Sequence, residues 1–125
     1  MDRLFFDCNA SYGEVGKKHP LARWSLEHLL EDLNLAGIAG ALVSHRLAWS
    51  YDPMFANRRL IQQISPYRDR LFPCWVVTPD LAGESPEPAQ LVAEMKLHDV
   101  RALRFELEHH RIPAKAKLWR PLLDE

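Results

Sequence analysis

Four times along this chain an apolar run gives way to a segment whose apolar residues recur at helical spacing, and no two runs stand close enough to close a hairpin. The runs cover about 4–9, 38–43, 71–77 and 102–107; the helical segments cover 25–35, 52–64, 87–98 and a stretch from 116 onward. Strands separated in this way must pair in parallel, joined by right-handed helical crossovers. The chain is therefore expected to be α/β and a single domain over 1–125. Two closures remain open: a (βα)4 parallel half of a TIM-like (β/α)8 barrel, with helices on one face, or an open doubly wound sheet with helices on both.

The punctuation fits that reading. Ser25 is placed to cap the first helix, whose stripe is Leu26, Leu29, Leu30 and Leu33, and Gly37 is placed to end it. Asp52 followed by Pro53 starts the second, with Phe55, Leu60, Ile61 and Ile64 as its buried face. Leu91, Val92 and Met95 line the third, and Leu118, Trp119, Leu122 and Leu123 the last. Pro73 interrupts the third strand and is expected near its start. Residues 44–46 read as a loop.

Composition narrows the function classes. Sixteen basic residues against seventeen acidic ones leave a net charge of −1, so no basic surplus points to nucleic acid. No apolar run approaches the ~18 residues of a membrane span, and the N-terminus lacks a basic flank followed by an apolar core. Cys8 and Cys74 lie far apart, each inside an apolar run, which predicts buried reduced thiols and a cytoplasmic location.

Chemistry-bearing residues gather where strands end. Asp7, Asn9 and Ser11 alternate, which in an uninterrupted strand puts all three on one face. His45 follows the second run, at the rim where barrel enzymes keep catalytic groups; a loop histidine bonded to backbone is the alternative. Glu106 ends the fourth run and suits acid–base work if it faces inward, or an ion pair with Arg104 or Arg101 if it does not. Trp49, with Tyr51 and Phe55, can wall an apolar pocket or serve as core. His109 and His110 are adjacent, so their side chains diverge in extended chain and read as loop. No Cys-x-x-Cys, His-Glu-x-x-His, phosphate loop or nucleophile elbow occurs.

Taken together, FFDCNASYG, LLEDLNLAGIAGALVSH, NRRLIQQISPYRDRLFPCWVVTPD and VRALRFELEH, in that order and spacing, resemble the N-terminal half of the amidohydrolase-related family of metal-dependent hydrolases. The resemblance implies an N-terminal half-barrel, a small carbonyl-containing substrate, and hydrolysis or decarboxylation. It also implies a divalent metal, zinc or manganese. In active members of that family the first strand ends Asp-x-His-x-His, with both histidines on the metal. Here Asp7 is kept, but Asn9 and Ser11 stand at the histidine positions, so the sequence names no metal ligand. On this resemblance Asp7, His45 and Glu106 are the catalytic candidates, and Asn9, Ser11 and Trp49 the substrate-binding ones.

One physical difficulty runs through the half-barrel reading. Parallel sheets are stable almost only when both faces are covered, and four strands with helices on one side leave the other bare. The expected resolutions are a homo-oligomer or a missing C-terminal half. The alternative function is accordingly a non-catalytic, self-associating half-barrel that binds a small molecule or a partner chain.

Overall fold

Two of the helices, α1 and α3, begin at a side-chain cap that the sequence supplies. Helix α1 (Leu26–Leu35) starts at Ser25, whose hydroxyl accepts the His28 N–H at 3.2 Å while His28 Nδ1 accepts the Ser25 N–H at 3.5 Å. This is a capping box with histidine in place of the usual carboxylate or amide. Gly37, at φ 67°, takes the left-handed conformation that ends this helix without a Cβ penalty. Helix α3 (Pro53–Ile64) starts at Asp52, whose carboxylate accepts the Phe55 N–H at 2.9 Å, with Pro53 in the first turn. Helices α4 (Pro88–Leu97) and α5 (Ala116–Leu123) complete the crossovers, and a four-residue helix, α2 (Leu47–Ser50), precedes α3. The computed structural model describes residues 4–14, 19–79, 85–108 and 111–125.

Strands β1 (Phe5–Tyr12), β2 (Ile38–His45), β3 (Leu71–Val77) and β4 (Ala102–Phe105) form one parallel sheet in the order β1-β2-β3-β4. The sheet is curled and singly wound. Ala10, Tyr12, Ala41, Val43, Leu71, Trp75 and Val77 on one face pack with Leu26 and Leu33 of α1, Leu60 and Ile64 of α3, Leu91 of α4 and Trp119 of α5 in a single core. A doubly wound sheet would split those helices between two faces. The alternative closure is thereby corrected, and a half α/β barrel describes the architecture.

The opposite face is open. Phe6, 54 % exposed, lies over Gly40 and against Phe72, 38 % exposed, with ring centroids 5.9 Å apart. Cys8 lies exposed on β1 and Cys74 is half-buried on β3, both as free thiols. The expectation that both are buried is corrected: α2 and the start of α3 cover this face only at Val76, through Leu47, Ala48, Trp49 and Ala56, which leaves Cys8 exposed and Cys74 half-buried.

Two local features set what reaches the rim. First, the β1–β2 register slips between Asp7 and Ala10: Asp7 stands opposite Ala41 and Ala10 opposite Val43, three steps on β1 against two on β2. This is a bulge. Across it the alternation shifts, so Asp7 is in register with a residue of the helix-covered face, whereas Ser11 is opposite Ser44 on the open one. The predicted common face of Asp7, Asn9 and Ser11 does not exist.

Second, the β2–β3 ladder ends at Pro73, opposite Val43. Proline has no N–H to continue it. Beyond this point side chains span the gap. The Ser44 hydroxyl donates to the Cys74 carbonyl at 3.0 Å, and Asn57 of α3 takes the place of a strand residue beside Val76. Its amide donates to the Val76 carbonyl at 2.8 Å and its oxygen accepts the Val76 N–H at 3.0 Å.

Other boundaries differ from expectation for readable reasons. Ser44 and His45 belong to β2 rather than to a loop, because they pair with Ser11 and Tyr12 of a strand that continues three residues past the end of the apolar run. Phe55 is 49 % exposed rather than buried, packing edge-on against Tyr51 in the first turn of α3. His109, His110 and Asp80 lie outside the described residues. Among the described residues no helix is long and apolar enough to cross a membrane.

Candidate functional site

The C-terminal ends of β1, β2 and β4 bring one set of polar side chains to the open face. Ser11 and Ser44 sit side by side in register, and Arg46 closes over them, its Nε donating to Ser11 Oγ at 3.3 Å. On the far side the Arg104 guanidinium lies 4.9 Å from the Trp49 ring, while its Nε is 3.8 Å from Glu106 Oε2. A shallow cleft of about 220 Å³ runs between them along Asn9, Ser44, Cys74 and Arg104. Burial pushes the Cys74 thiol up, with the Ser44 contact and the Arg104 charge pulling back more weakly. Cys74 is thus a protonated thiol at neutral pH, unsuited to nucleophilic attack.

His45 faces the other way. It is 3 % exposed, in register with Tyr12, and meets that ring edge-on at 5.0 Å on the helix-covered side. The Leu47 N–H donates to His45 Nδ1 at 3.2 Å, which fixes the neutral tautomer with the proton on Nε2. Burial, then the positive Arg59, holds its pKa down at about 4. Gly13, at φ 117°, lies flat against the imidazole, where a Cβ would fall 2.7 Å from its Cε1. The Tyr12 hydroxyl donates to Gln63 Oε1 at 2.7 Å and is pushed well up, chiefly by burial.

The sequence-selected residues therefore separate into groups. Ser11, Trp49 and Glu106 belong to the open-face rim, with Asn9 along its cleft. Asp7 is bound locally, its carboxylate accepting the Asn9 N–H at 2.9 Å inside the bulge. His45 is on the opposite face from Glu106's neighbour Arg104 and reaches none of the others. Among the described residues no three His, Cys, Asp or Glu side chains converge as a metal cluster. The donors present do not fit the divalent metal that the family resemblance implies. Asp7 is engaged with backbone, Asn9 and Ser11 are neutral and weak, and His45 spends Nδ1 on the chain.

Sequence reasoning missed Arg46 and Asn57, while Arg104 is found beside Glu106 as one of the two ion-pair partners the sequence offered. For Asn57 a signal existed: it shares the stripe 57-60-64 with Leu60 and Ile64, and an amide on an apolar stripe must find buried partners. Arg46 carried none, since surface arginines are ordinary. What the rim offers chemically is hydroxyls and guanidinium donors around a shallow apolar floor, an arrangement suited to holding a carbonyl or carboxylate oxygen. Compared with protein-family models, curated proteins and solved structures, the chain matches none of them.

Proposed function

We propose that this chain is a self-associating half-barrel: a second copy covers its open face, and the completed rim binds a small carbonyl-bearing molecule. The observation that carries this reading is the parallel sheet with its main core on one face and Phe6 and Phe72 exposed on the other. Strands β1 and β4 each have a neighbour on one side only, so two four-stranded sheets can close edge to edge into the eight strands of a barrel. Closure would remove both edges and bury both aromatic patches at once. It would also place two sets of Ser11, Arg46, Trp49 and Arg104 around one mouth.

Sedimentation velocity on the purified chain tests this. A dimer that Phe6→Glu with Phe72→Glu converts to a dye-binding monomer is the expected result. A monomer that unfolds cooperatively and binds no hydrophobic dye would overturn it.

A second reading, an amidohydrolase-like hydrolase acting on a small carbonyl-containing substrate, is favoured by the four βα units in one winding and by Ser11 and Glu106 at the strand ends. Among the described residues the carboxylate at that rim is Glu106, 3.8 Å from Arg104. Stoichiometric zinc or manganese in the purified protein, together with turnover on ester or amide panels, would support it. A metal-free, inert dimer would leave the binding module.

A further inference from the structure

The cleft on the helix-covered side, between the start of α1 and the middle of α3, has a volume of about 420 Å³. That lies within the range of small-ligand sites, roughly 300–1,000 Å³. It is separate from the open face, and the half-barrel reading makes no use of it. At its floor is His45, nine-tenths buried and more, whose Nδ1 is occupied by the Leu47 N–H. Its Nε2–H has no partner among the described residues, and the ring lines the cleft. The ring's free N–H edge opens on the cleft space, so a ligand that offers an acceptor can bond it there.

Arg59 stands on the same cleft with no carboxylate partner among the described residues, and its charge reaches both His45 and Tyr12. A neutral N–H and a guanidinium facing one space suit a carboxylate. Trp24, Pro66 and Tyr67 supply flat apolar walls that suit a ring. Two acids at the margin set the charge limit. Glu27 is turned to its own helix start, its carboxylate held low by its own N–H and the Ser25 hydroxyl, and Glu14 lies beside it on the wall. With carboxylates at the margin and one guanidinium on the wall, a polyanion is disfavoured more than a single carboxylate is.

We propose that this cleft binds a small aromatic monocarboxylate, with the carboxylate on His45 Nε2–H and Arg59 and the ring between Trp24 and Tyr67. Titration of the full chain with benzoate and with indole-3-carboxylate, followed by NMR of the His45 imidazole and the Trp24 indole, tests it. Saturable binding on the order of 1 mM is expected for ligands this small. Benzamide and inorganic phosphate should bind at least about tenfold more weakly, and Arg59→Gln should lose about tenfold for benzoate, the worth of one charge-assisted hydrogen bond. Arg59 is exposed, so that variant keeps the fold. Equal affinity for benzoate and benzamide, an unchanged Arg59→Gln, shifts confined to the open face, or no saturation would each overturn the proposal. Dimer formation is read separately by sedimentation, so failure here and failure of the half-barrel reading are distinguishable.

Discussion

Buried polar side chains at two positions, His45 and Asn57, hold parts of this fold that regular hydrogen bonding leaves open. In the unfolded chain the His45 imidazole takes a proton near pH ~6.5; in the fold it does so only near pH 4, because burial and Arg59 disfavour the cation. Between those limits the unfolded state binds more protons, so stability falls as pH drops from about 6.5 to about 4 and is insensitive to this group above. The full window is worth roughly 3 kcal/mol at ~1.4 kcal/mol per tenfold. Urea midpoints measured across it should decline, and His45→Gln should flatten the decline. Asn57→Ala strands both the N–H and the C=O of Val76 in the interior. A loss of about 2–4 kcal/mol is expected by denaturant unfolding, more than truncation of a surface amide would give. The stripe position of Asn57 was legible; its partner was not, because nothing in the local sequence says where a ladder on another strand will stop.

At the scale of elements, caps and stripes were the legible part. Ser25, Gly37, Asp52 and Pro53 do what their residue types predict, since each acts within a turn of itself. Asp52→Ala should cost about 1 kcal/mol, seen as a lowered melting temperature, and Asp52→Asn should cost less. The β1 bulge was not legible. The alternation of Asp7, Asn9 and Ser11 is a property of one strand, but register is a property of two, and pairing with β2 inserts an extra residue before Ala10. The same limit applies to α2, whose four residues are too few for a periodic signal. The candidate site suffered from both. His45 looked like a rim residue because its strand ended early on the page, and in the fold β2 continues two pairings past Val43, which puts His45 on the face opposite Ser44.

For the whole molecule, the order of runs and crossovers was enough to give a parallel α/β fold, because parallel pairing needs long connections whatever their sequence. Which faces the helices would cover was left open by the sequence and is answered by the main core, with only a small second cluster at Val76 on the other face. If two copies close the barrel, folding and association are one equilibrium. The melting temperature should then rise with protein concentration, while the Phe6→Glu, Phe72→Glu double variant should melt at one temperature at every concentration. A wild-type melting temperature independent of concentration would count against closure.

The Val76 amide gives the side-chain seam between β2 and β3 a readable signature. In an ordinary sheet the exchange of a strand amide with solvent deuterium reports the parting of two strands. Here that proton is held by a carboxamide on α3, so it is released when the helix lifts, even if all four strands stay paired. Its exchange rate should match that of the core amides of α3 and rise to the intrinsic rate in Asn57→Ala, while the neighbouring Trp75 amide stays slow. The strand thus carries, in one backbone position, a clock for the motion of a helix.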